Sequence, residues 1–167
     1  MTDGEFITSL NNHASGPQFR MLIALAASTP AELLRVVMRA EAEGEASIGR
    51  EAVGWVFYWR SQHPWWWGST IMQCCLWPAQ VSSFWADYPK RAAAIQSELY
   101  NPTPNIEQDA ELLYDSIMNS RFSDDPTGGA TYYWNPDVCN PAWASRVTWT
   151  RKIGHHQFAV DESEVPR

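Results

Sequence analysis

Positive charge is what this sequence has least of. Twelve Lys and Arg stand against 19 Asp and Glu, for a formal charge of -7, and the cations nowhere gather into a stretch that could follow a phosphate backbone. Nucleic acid is therefore not an expected partner. Cysteine is scarce as well. Cys74, Cys75 and Cys139 are odd in number and lack CxxC spacing, so neither a zinc knuckle nor a disulfide framework is indicated, although one bridge from Cys74 or Cys75 to Cys139 stays open. No segment approaches the ~20 apolar residues of a membrane span. The run MLIALAAS at Met21 to Ser28 starts late, behind Asp3 and Glu5, and reads as a buried helix turn rather than a signal segment. Synthesis in the cytoplasm is the expectation. There is no internal repeat, no cofactor is called for, and a monomer is expected.

Aromatic residues are in excess. Ten Trp, six Tyr and six Phe make up 13% of the 167 residues, more than a core of this size needs. Most such rings pack cores. The remainder suit a cleft for sugars, whose apolar faces lie flat on aromatic rings while their edges hydrogen-bond. PWWWGSTIMQCCLWPAQVSSFW is the densest stretch. It is too irregular for a long amphipathic helix, although STIMQCCLW can form two turns with Ser69 as N-cap.

The rest of the chain divides by pattern. Residues 1–18 are polar and turn-rich and are set apart as a loose arm or a short helix. Residues 19–160 read as a single catalytic domain, and 161–167 as a frayed, charged tail. Thr29 as N-cap and Pro30 in the first turn open a helix, AELLRVVMRAEAE, with Leu33, Leu34, Val37, Met38 and Ala42 as its buried stripe. A second helix runs from about Ile48 to Ser61 with Ala52, Val53, Val56 and Trp59 inward, and Gly54 marks a close helix approach. Pro89–Tyr100 and Glu107–Asn119 are two more, the latter with Ala110, Leu113, Tyr114 and Ile117 on one face. Short strands are expected at Tyr132–Trp134, Val147–Thr150 and Gln157–Val160, with Gly128 and Gly129 as turn residues. The fold class is α+β, mainly helical, with a small antiparallel sheet in the C-terminal third.

The chemistry concentrates in MRAEAEGEASIG, Met38 to Gly49. Glu41, Glu43 and Glu45 crowd the C-terminal end of a helix, where the macrodipole disfavours anions. Such placement weakens the helix and marks the residues as candidates for chemistry, although a solvated acidic helix end is the plain alternative. On a continuing helix Glu41 and Glu45 would share a face, their Cβ atoms ~5–6 Å apart, with Glu43 pointing elsewhere.

In order along the chain, AEAEGEASIGREAVGWV (Ala40–Val56), Trp66–Gly68 with Thr70 and Ile71, CLWPAQVSSFW (Cys75–Trp85), DPTGGATYYWNP (Asp125–Pro136) and IGHHQF (Ile153–Phe158) resemble the blocks of the SleB-type cell wall hydrolases. That family is named for spore cortex-lytic enzymes and also occurs in bacteriophage lysins. The resemblance covers roughly Leu33 to Phe158. Three positions depart from it: Trp59 stands where Asn is usual before Arg60, Val81 replaces Phe after Gln80, and Tyr132 replaces a common His. The first two read as packing changes, and the third removes a polar group from the cleft.

The resemblance implies a lysozyme-like domain that cleaves peptidoglycan glycan strands between N-acetylmuramic acid and N-acetylglucosamine, most simply as a lytic transglycosylase leaving 1,6-anhydro ends. Two carboxylates on one helix are poorly placed for a hydrolase, which needs them ~5–5.5 or ~6.5–9.5 Å apart across the bond. A transglycosylase needs one acid that later serves as base. Glu41 matches the family's first glutamate and is the expected acid, Glu45 its modulator by like-charge repulsion. Gln80, Tyr133, Asn135 and His156 are the expected groove residues, with amides and phenol bonding acetamido groups. Each also has a structural reading, His156 as a packed histidine of the last strand.

Hydrolysis by a muramidase and a non-catalytic wall-binding protein are competing readings. A zinc amidase would have to draw on His155, His156, Cys139 and a glutamate, a spacing that matches no zinc motif. The setting expected is a phage endolysin, made in the host cytoplasm and acting on the wall after release. A virion hydrolase and a bacterial remodelling enzyme follow.

Overall fold

The computed structural model describes residues 1–161. A capping box starts the fold. Thr2 Oγ1 accepts from the Glu5 amide and Glu5 Oε2 accepts from the Thr2 amide at 2.7 Å, opening helix α1 (Asp3–Leu10). Helix α2 (Gly16–Ala26) follows and carries most of the MLIALAAS run. Phe6, Leu10, Leu22 and Leu25 are fully buried in the main core, and Phe6 stacks on Trp77. Of the two forms expected for residues 1–18 the chain takes the helical one, and two apolar side chains one helical turn apart on α1 dock it. The tail set apart at 161–167 lies, from residue 162 onward, outside the described residues.

Thr29 caps helix α3 (Pro30–Ala42) with a second box through Glu32, and the anticipated stripe from Leu33 to Ala42 is buried. Helix α4 (Ser47–Gln62) is not amphipathic as anticipated. Trp55 and Phe57 are as buried as Val53 and Val56, because α3, a short helix α5 (Ile71–Leu76), a later helix and the sheet surround it. From Ala52 to Tyr58 every residue is buried, as suits a helix at the centre of a domain. Thr70, not Ser69, caps α5: its hydroxyl accepts from the Gln73 amide, while Ser69 donates its own amide to Gln73 Oε1. Helices α6 (Tyr88–Tyr100) and α7 (Pro104–Met118) complete the helical layer. Gly54 marks the close approach expected of it: a Cβ there would lie 2.3 Å from Leu113 of α7 and 2.9 Å from Met38 of α3.

Two buried ion pairs tie these helices. Arg35 of α3 bridges Glu98 of α6 at 3.4 Å, and Arg50 Nε of α4 meets Asp109 of α7 at 2.6 Å. The sheet has the order β1-β3-β2, all antiparallel, from β1 (Tyr132–Trp134), β2 (Thr148–Ile153) and β3 (His156–Val160). Asp125 fastens the loop before β1 to α4. Its carboxylate accepts from Trp59 Nε1 at 2.8 Å, from the Thr127 amide and hydroxyl, and from the Gly129 amide. Trp59 is thus a tether as well as a packing residue. Val81 is fully buried, and Tyr132 packs against Trp67 and Trp143.

Candidate active site

Helix α3 stops at Ala42, and the Glu43–Gly44 turn carries the chain away from its axis. Glu41 and Glu45 consequently do not share a helix face. Glu41 remains on the last turn, under the sheet. Its Oε2 accepts from the Tyr133 hydroxyl of β1 at 3.0 Å. Tyr133 is stacked on Phe158 and flanked by Phe57 and His156, so the carboxyl sits against a wall of rings. Burial pushes the Glu41 pKa above the ordinary carboxylate value, against the Tyr133 hydrogen bond and the fields of Arg60 and Arg91, with Asp87 adding to the rise. The same burial and the neighbouring Glu41 push the Tyr133 phenol well up, so it stays a donor.

Glu45 has the opposite surroundings. The β2–β3 turn lies over it: the His155 amide donates to Oε1 at 3.2 Å, and His155 Nδ1 and His156 Nδ1 lie 3.0 and 3.3 Å from the same oxygen. Arg50 donates to its backbone carbonyl. Gly154, at φ +56, makes the approach possible, since a Cβ there would sit 1.9 Å from Glu45 Oε2. The anticipated like-charge modulation is therefore not its arrangement. The acidic group that raises the Glu41 pKa is Asp87, while Glu45 is turned to the hairpin.

Arg60, at the end of α4, is the main group that sequence reasoning passed over. Its guanidinium is buried beside the rings of Phe57, Trp67 and Tyr133, donates from Nε to the Thr131 carbonyl at 2.7 Å, and reaches Gln80 Oε1 at 2.5 Å. An arginine closing a helix whose core positions are aromatic was the available signal.

A cleft of about 940 Å³ collects these residues. Glu41, Glu45, Gln80, Tyr133, Asn135 and His156 all line it, together with Arg60, Trp66 and Trp143. Their expected contacts differ, however. Tyr133 spends its hydroxyl on Glu41 rather than standing free for an acetamido group, the Gln80 carbonyl faces Arg60, and Asn135 Oδ1 accepts from the Asp137 amide at 2.9 Å. His156 is buried in its strand with a pKa lowered by desolvation, partly offset by Glu45. Glu43 is exposed and paired with Arg39 at 2.9 Å. Among the described residues no three His, Cys, Asp or Glu converge as a metal-holding group. Cys74 and Cys75 are buried, Cys139 is exposed, and all three are free thiols.

A desolvated acid at a helix end thus faces an open aromatic cleft on a mainly helical α+β scaffold. That scaffold matches two solved structures. One is the catalytic domain of a germination-specific lytic transglycosylase, SleB, from Bacillus anthracis, at TM-score 0.61 and 20% identity over 80% of this chain and 98% of that one. The other is the catalytic domain of the Bacillus cereus SleB protein, at TM-score 0.59 and 22% identity over 78% and 89%. A spore cortex-lytic enzyme of Halalkalibacterium halodurans is 28% identical over 127 residues, 76% of this chain and 33% of that protein, so the chain spans about a third of that relative's length. Residues 44–159 match the model of the Cell Wall Hydrolase family, and the chain belongs to that family. Glu45 lies inside the matched span and Glu41 just ahead of it.

Proposed function

We propose that this domain is a lytic transglycosylase of peptidoglycan, cutting between N-acetylmuramic acid and N-acetylglucosamine and leaving 1,6-anhydro ends. The observation that carries this reading is that Glu41, of the three glutamates lining the cleft, is held protonated by burial, while Glu45 is engaged by the hairpin and Glu43 by Arg39. Glu41 protonates the glycosidic oxygen as the bond from it to C1 breaks. The muramoyl C6 oxygen then bonds to C1, and its proton passes to the Glu41 carboxylate, restoring the acid without a second carboxylate or a water. Tyr133 and Arg60 offset the negative charge on Glu41 between the two transfers.

Mass spectrometry of muropeptides released from purified sacculi tests the reading. Anhydro ends are expected. Reducing ends would replace it with hydrolysis, and free stem peptides with amidase action.

The setting we propose is host lysis by a bacteriophage, with synthesis in the host cytoplasm and action on the wall after release. Three free cysteines suit a reducing compartment. Expression in a Gram-negative host should lyse cells only when a pore-forming holin is co-expressed. Lysis without one would remove this setting and leave the chemistry standing.

A further inference from the structure

The cleft at Glu41 reaches Trp134 and Pro141, at the edge of the sheet face opposite Tyr133. Both residues also wall a second groove of about 720 Å³, lined beyond them by Asn140, Ser145, Trp149 and Gln157 among others. None of its lining residues is charged. Trp149 is 51% exposed, far more than a ring of that size normally is. It is also held. Its Nε1–H donates to Gln157 Oε1 at 2.9 Å across the β2–β3 pair, which fixes the indole to the sheet. An exposed aromatic already fixed in place loses little conformational freedom when something stacks on it.

We propose that this groove is a further saccharide subsite, adjoining the cleft around Trp134 and Pro141, that takes a neutral N-acetylated sugar unit farther along the strand being cut. Trp149 stacks on the apolar face of the sugar, and Asn140, Ser145 and Gln157 supply the amides and hydroxyl for its edge. The inference rests on the reading of the cleft as a glycan site. The stem peptide is the competing occupant, but its free carboxylates call for cations, and the groove has none.

Peptide-free glycan strands of graded length separate these ideas. For the native protein, KM should fall as strands lengthen. Trp149→Ala should raise KM on long strands roughly five- to tenfold, the scale of one stacking contact, with kcat and the shortest productive substrate unaffected. Trp149→Tyr should restore most of the loss, and Gln157→Ala, which frees the indole, should give a smaller rise. Thermal melts of each variant separate a folding defect from a binding one. An unchanged length dependence in Trp149→Ala, with native activity intact, overturns the subsite alone. A defect confined to strands that still carry stem peptides assigns the groove to peptide instead. A native protein inactive on every strand overturns the cleft reading and the subsite with it.

Discussion

Glu41 and Glu45 stand four positions apart, yet the two walls of the cleft treat them oppositely. Under β1 and β3 Glu41 meets aromatic rings and one phenol hydroxyl, and its proton is held tightly. On the hairpin wall Glu45 meets a backbone amide and two imidazoles. The difference teaches that the two acids acquire distinct roles from partners about 90 and 110 residues downstream, not from their spacing.

The comparison breaks most visibly at Glu41. Glu41→Gln should lower muropeptide release by ~10²–10⁴-fold, the usual worth of a general acid, with the fold intact. It should also raise Tm at pH 7. Because the folded pKa of Glu41 lies above its unfolded value, its contribution to stability is complete below the ordinary carboxylate range and is lost as pH rises through the folded pKa. Glutamine escapes that loss, so the Tm gap between variant and native protein should widen from pH 4 to pH 7. A gap constant with pH would mean that Glu41 is not desolvated. Native activity should fall along the same rising limb.

Next in size is Arg50→Ala, which strands Asp109 in the core and releases the Glu45 carbonyl. A loss of ~3–5 kcal/mol is expected from denaturant titration. Tyr133→Phe sharpens the contrast from the other side. It removes a hydrogen bond that lowers the Glu41 pKa, so the alkaline limb of the rate profile should move up, while kcat falls roughly tenfold for want of a donor to the carboxylate. A limb that stays in place would show that the phenol does not act on Glu41. Glu43→Gln is the control: its pairs with Arg39 and Arg91 are exposed, and such pairs contribute ~0.2–1 kcal/mol, so turnover should stay within about twofold.

Local signals carried much of the fold. Thr29 and Pro30 mark the start of α3, the apolar spacing from Leu33 to Ala42 marks its buried face, and Gly54 marks the crossing with α7. Each is readable because the deciding interaction lies within one turn or on one residue. The burial of α4 on all sides was not readable, because Trp55 and Phe57 become interior only when the sheet and α7 close over them. The same limit applied to the site. The residues that line the cleft could be named from their blocks. That Tyr133 belongs to Glu41, or that Arg60 sits among three rings, depends on pairings across 70 to 90 positions that no periodicity records.

Gly154 and the histidines after it have a temporal consequence. A chain emerging from the ribosome presents its helices first, and domains fold in that order. The α3 end that carries Glu41 is thus available early, but Tyr133 belongs to β1 and the cover over Glu45 belongs to the β2–β3 turn, among the last described residues to be made. Contacts of such long sequence separation also form slowly. The cleft is therefore completed only once the β2–β3 turn has been made, and a chain stalled before that turn carries the acid without the walls that give it a proton to donate.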